Sequence, residues 1–126
     1  MRIPELKPVV WVWAALREVR ELPAAVQNAL GYALYLAQTG ERHPHAKTLK
    51  GFGGSGVLEI IEDHDGSTYR CVYTVHFAEA IYVLHAFQKK STRGIATAKH
   101  IIALIRARLD QAEALHAERT KQRRTS

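Results

Sequence analysis

The chemistry-bearing residues of this 126-residue chain are mostly cations with few acids near them. "HAFQKKSTRG", residues 85–94, holds His85, Phe87, Lys89, Lys90 and Arg93, and no acid occurs between Glu79 and Asp110. Arg70 stands inside "TYRCVYTVHF" (68–77), and Lys47 and Lys50 lie in "GERHPHAKTLKGFGGSG" (40–56). Such a set suits a phosphodiester. Cleaving RNA without a metal requires a base for the 2′-hydroxyl, fixed positive charge for the pentacoordinate phosphate, and an acid for the departing 5′-oxygen. Arginine and lysine can supply the charge, often the largest single catalytic contribution. A lysine or histidine can move the protons.

Each candidate also has a plainer role. Arg70 reads as a phosphate contact or as the cross-strand partner of Glu59 or Glu62. The two are compatible if Glu59 holds the guanidinium while RNA is absent. His85 is either a satisfied histidine of the core or sheet edge, or a general acid or base, since this side chain changes charge near neutral pH. Phe87 packs in the core or stacks on an unstacked base. Lys89 and Lys90 point to opposite faces of a strand, because side chains alternate with a period of two. Only one of them shares a face with Arg70. These cationic side chains are expected to be open to solvent. His43 and His45 flank Pro44, but no cysteine or carboxylate accompanies them at ligand spacing, so no metal and no cofactor is expected. "GFGGSG" lacks the Gly-Lys-Ser/Thr of a phosphate loop and reads as a mobile connection.

The charge of the whole chain sharpens the picture. Net charge is +6, yet residues 1–86 carry 8 basic and 9 acidic side chains, while residues 87–126 carry 10 basic and 3 acidic. The excess lies in the last strand end, the last helix and the tail. A positive field so localised suits a polyanion such as nucleic acid, with an acidic protein segment as the competing partner. A hydrophobic content of 47% is enough for a packed core,. Cys71 is the one cysteine, so no internal disulfide exists, and a buried thiol of a cytoplasmic protein is the expectation,. No run approaches the ~18 apolar residues of a membrane span, and "MRIPELKP" has no signal-like segment.

These residues must be positioned by a small set of elements. "VVWVW" (9–13) reads as a first strand. Helical spacing follows from about Ala14 to Gln38, broken at Pro23, which fits the first turn of a second helix, and stopped at Gly40. Residues 40–56 hold five of the eight glycines and are expected to be loop. Three strands follow, over 57–63, 68–77 and 80–90, the first two joined at Asp65-Gly66, a strong hairpin signal. Tyr69, Cys71, Tyr73 and Val75 share one face of the middle strand, and Arg70, Val72, Thr74 and His76 the other. Thr97 is a candidate N-cap for a last helix whose apolar set is Ile101, Ile105, Leu109 and Ala112, with Lys99 and Arg106 opposite. The order is β-α-α-β-β-β-α: an α+β domain over residues 1–118, its antiparallel sheet packed on a helical hairpin and a C-terminal helix. Residues 119–126 form a basic tail expected to fray.

That order, with Tyr69-Arg70-x-x-Tyr73 in one strand, His85-x-Phe87-x-Lys89-Lys90 in the next and a long helix after it, resembles the RelE/ParE superfamily of bacterial toxins. The nearest branch in pattern is the phage-related, HigB-like toxins of type II toxin–antitoxin systems, over roughly residues 8–115. The resemblance implies a metal-independent endoribonuclease, an mRNA interferase that cuts message on the ribosome and so inhibits translation. It implies as partners the ribosome with its mRNA and a cognate antitoxin, a helix-turn-helix DNA-binding protein, in a possible higher toxin–antitoxin assembly. It carries a catalytic role to Arg70, Lys89, Lys90 and His85, RNA binding to Lys47, Lys50, Phe87 and Arg93, and an orienting role to Glu59. The sequence departs from the pattern at Ile61, where many relatives carry a basic residue. Some members of the superfamily instead inhibit DNA gyrase, and a diverged, non-catalytic nucleic-acid-binding module is the other alternative, so the fold alone does not settle the function.

Overall fold

A computed structural model describes residues 5–54, 56–89 and 98–125. Lys90, Arg93 and Thr97 fall outside the described residues. The elements run β1 (Val9–Trp11), α1 (Ala15–Arg20), α2 (Ala24–Gln38), β2 (Ala46–Thr48), β3 (Val57–His64), β4 (Ser67–Thr74), β5 (Ile81–Lys89) and α3 (Lys99–Thr125). This is the expected α+β architecture with one addition. Ala46–Thr48, read from sequence as loop, forms the short strand β2, because its backbone pairs with the open edge of β3 at Leu58–Ile60. The last helix runs on to Thr125, through the stretch after Glu118 expected to fray.

The five strands lie in the order β1-β5-β4-β3-β2. The three hairpin-linked strands are central, and β1 joins the edge of β5 in parallel. The β3–β4 turn is made by Asp65 and Gly66 with φ of 49° and 78°, the left-handed pair that a two-residue hairpin demands,. Pro23 precedes α2 as its N-cap with φ −56°, and Gly40 follows its end with φ +88°.

The alternation read in β4 divides the core in two. On one face Cys71 and Tyr73 pack with Ile60 and Val83 against Val19 and Leu30 of the helical hairpin. On the other, Val72, Tyr82 and Leu84 pack against Ile105, Leu109 and Ala112 of α3. Burial pushes the Cys71 thiol up to about 12, so it is an inert core group,. Further along α3, His116 accepts or donates at Tyr82 (3.0 Å) and reaches Glu79 (2.9 Å), pinning the helix to the start of β5.

Candidate functional site

Strand register decides which candidates meet. Phe87 of β5 stands directly across from Arg70 of β4, which stands across from Ile61 of β3. One step along, Lys47, Glu59, Val72 and His85 form the adjacent row, and on the other side Lys89 faces Thr68. Directly opposed residues share a face, so Lys47, Glu59, Arg70, His85, Phe87 and Lys89 all lie on the α3 side of the sheet. Lys89, the last residue of β5, is on Arg70's face.

Arg70 is not open to solvent as expected. The Arg70 side chain is only 10% exposed, and its Nη1 donates to Glu59 Oε2 at 3.1 Å. The physical reason is placement: Arg70 sits mid-sheet between Ile61 and Phe87, with Glu59 on the diagonal. Phe87 and Lys89 are half-buried, and Lys47 and Lys50 are exposed. Lys50 lies beyond the end of β2, outside the strand rows that register aligns.

His85 is buried and partnered. Its ring stacks on Phe87 with centroids 4.9 Å apart and planes 19° from parallel. Its Nδ1 lies 2.8 Å from Glu18 Oε1. A carboxylate only accepts, so Nδ1 carries the hydrogen in this contact,. Glu18 also binds Arg108 through Nη1–Oε1 at 2.6 Å and Nη2–Oε2 at 2.9 Å. Arg108 Nη1 further donates to the Leu84 carbonyl at 2.9 Å.

This cluster has a backbone cause. β1 covers the edge of β5 only through Val83, with Val12 N–H reaching the Val83 carbonyl. Beyond it the Ala86 N–H meets Glu18 Oε1 at 3.4 Å and the Leu84 carbonyl meets Arg108. Side chains from α1 and α3 thus satisfy the edge groups that β1 leaves behind, as buried backbone polar groups require. Burial alone would push the Glu18 carboxyl up, but hydrogen bonds from His85 and Arg108 and their charge outweigh it and hold it at about 2,. Sequence reasoning missed both Glu18 and Arg108. A cation in line with buried Ile105, Ala112 and Leu109 on α3 was the available signal.

Arg106, expected opposite the apolar stripe of α3, is exposed but engaged. It donates to the Gly51 carbonyl at 2.7 Å and lies 4.7 Å from the Phe52 ring centroid, holding the glycine-rich loop against the helix,. No helix among the described residues is long and apolar enough to cross a membrane.

Comparisons place this geometry among known proteins. The chain is similar to the E. coli toxin RelE, solved in the free state as a variant with two arginines replaced by alanine. Sequence identity is 20% and the TM-score 0.53, over 69% of this chain and 87% of that one. That likeness shows the fold. No curated protein matches the chain. Residues 17–110, from within α1 into the first half of α3, match the family described as "Phage derived protein Gp49-like". With the family pattern spanning every element that builds this face, and with a RelE-like fold beneath it, the chain belongs to the phage-derived Gp49-like family of RelE-superfamily toxins.

Proposed function

We propose that this chain is the toxin of a type II toxin–antitoxin module, an endoribonuclease that cleaves mRNA on the ribosome and is neutralised by a helix-turn-helix antitoxin. One observation carries the reading: Arg70, Phe87 and Lys89 occupy neighbouring positions on one face of the sheet, beside the Glu59 that holds the guanidinium. A backbone phosphate laid on this face competes with Glu59 for Arg70, and Lys89 adds a second positive charge where the transition state gains negative charge. Phe87 offers a ring to an unstacked base. His85, with Nδ1–H committed to Glu18, retains Nε2 as the nitrogen that can take or give a proton,. Lys47 and Lys50, with Lys90 and Arg93 outside the described residues, extend the positive track along the message. In this scheme no step calls for a metal.

The deciding experiment is induction of the chain alone in bacteria, with pulse labelling. Methionine incorporation falls before thymidine incorporation if translation is the target, and co-expression of the neighbouring gene restores growth. Thymidine incorporation falling first would overturn the nuclease reading in favour of gyrase inhibition.

A further inference from the structure

The loop from α2 into β2 passes close to the far end of β3. Ala46 pairs with Ile60 in an antiparallel ladder, so the residues just before Ala46 run alongside the residues just after Ile60. His43 and His45 thereby come beside Glu62, and ligand-capable atoms of all three lie within 4.8 Å of one another. The carboxylate absent from the sequence neighbourhood of "HPH" is supplied by the fold.

We propose that His43, His45 and Glu62 form a binding site for one divalent transition-metal ion of the zinc class. Two imidazoles and a carboxylate are the donor set of three-ligand zinc sites, and imidazole nitrogen selects zinc, nickel or copper over magnesium and calcium. The spacing fits. Ligand bonds of about 2.0–2.1 Å place two tetrahedral donors about 3.3 Å apart, and His45 Nδ1 lies 3.4 Å from Glu62 Oε1.

Each ligand is also held by something other than the ion. Glu62 is fixed on a strand, in register with Tyr69. The His43 ring meets Tyr32 of α2 edge-on at 5.7 Å and His45 at 5.0 Å, and Pro44 stiffens the backbone between the two histidines. His43 Nδ1 now accepts the His45 N–H at 3.0 Å. Metal binding exchanges this exposed hydrogen bond for one to water, and a turn of the His43 side chain closes the remaining gap. Three protein ligands leave one tetrahedral position for water.

The site does not overlap the proposed RNA face. Glu62 follows Ile60 by two residues, so it shares the face on which Ile60 packs in the helical-hairpin core, opposite Arg70 and Phe87,. The ion therefore acts as a clip between the α2–β2 loop and β3, and its presence is independent of whether the chain cleaves RNA.

The test is titration of chelator-treated protein with zinc sulfate at pH 7.5, by calorimetry and thermal melting. The expected result is one ion per chain with Kd in the range of about 1–10 µM. A rise of several degrees in Tm should appear at zinc well above Kd, and none with magnesium. His45→Ala and Glu62→Gln should each weaken binding at least about tenfold, while His100→Ala, on the exposed start of α3, leaves it unchanged. NMR signals of the His43 and His45 rings should shift on zinc addition, and affinity should fall as pH drops below the imidazole range. Absence of saturable binding below about 100 µM zinc, or equal affinity in a His43→Ala/His45→Ala/Glu62→Gln variant, overturns the proposal.

Discussion

Arg108 grips Glu18 through two parallel hydrogen bonds, of 2.6 Å and 2.9 Å, across ninety residues of sequence. With His85 Nδ1 on the same carboxylate, this pair joins α1, β5 and α3 where the edge of β5 runs on past the end of β1. Removing either member leaves a buried charge without its counterpart, the condition under which ion pairs matter most. Glu18→Gln should therefore destabilise the fold by about 3 kcal/mol. In a double-mutant cycle with Arg108→Met, urea denaturation should recover a coupling energy of at least about 1 kcal/mol. Strict additivity of the two single changes would mean that the pair contributes nothing specific.

The same carboxylate sets an acid limit. Glu18 titrates at about 2 in the folded chain against an ordinary 4.5. A lowered folded-state pKa stabilises the native state above the unfolded value and loses that contribution as pH falls through the folded one. Between pH 7 and 5 this group leaves stability unchanged. Between about 4.5 and 2 the wild type should lose on the order of 2 kcal/mol, allowing for partial solvent screening. Glu18→Gln should lack that portion of the slope. Parallel acid titrations of the two proteins would expose the claim, since identical slopes below pH 4.5 contradict it.

Lys89 and Arg70 should separate catalysis from stability. Lys89→Ala removes a half-buried side chain near the strand end and should cost less than about 1 kcal/mol of stability. If it meets the transition state, cleavage of ribosome-bound message should drop by roughly 10²–10³. Arg70→Ala behaves differently because it strands the buried Glu59 carboxylate, at a cost of about 3 kcal/mol. Its loss of toxicity would therefore accompany a lower Tm, whereas Lys89→Ala should lose toxicity at an unchanged Tm. Full cleavage by Lys89→Ala would move the active site off this face.

Salt should report the breadth of the RNA contact. Binding through five or six cations releases a comparable number of counterions, so affinity for ribosomes or RNA should fall by roughly 10²–10³ between 50 and 200 mM salt. Filter binding at four salt concentrations measures the slope. A flat response would remove the C-terminal charge excess from the binding account.

The sequence was most legible where a residue's role is local. Asp65-Gly66, Pro23 and Gly40 announce their turns because the required φ values restrict the residue types, and the alternation Tyr69–Cys71–Tyr73 sorts β4 between its two cores without knowledge of its partners. Legibility fails where the role depends on pairing. β2 exists only because β3 offers an edge at Leu58–Ile60. The burial of Arg70 follows from its neighbours Ile61 and Phe87 on two other strands. Glu18 and Arg108 carry no mark of each other, since nothing in "ALREVR" or "LIRARLD" tells that β1 stops at Trp11 and leaves two backbone groups to satisfy. His85 was open between two roles because both need the same residue type, and neither its stack on Phe87 nor its bond to Glu18 could be read from the sequence.

The parallel pairing of β1 with β5 has a consequence for synthesis. Val9 finds Ile81 as its neighbour, and Glu18 finds Arg108. A chain emerging from the ribosome therefore cannot close its sheet edge until nearly the whole message has been read, and contacts so distant in sequence form late. Nascent chains arrested before residue 108 should be digested by protease far faster than released ones, a difference that pulse-labelled stalled ribosomes can display. Equal resistance would show that the N-terminal elements close the fold without their C-terminal partners. Fast digestion of the arrested chains would instead mean that the toxin proposed above stays unfinished, and harmless, for as long as it remains attached to the machine that makes it.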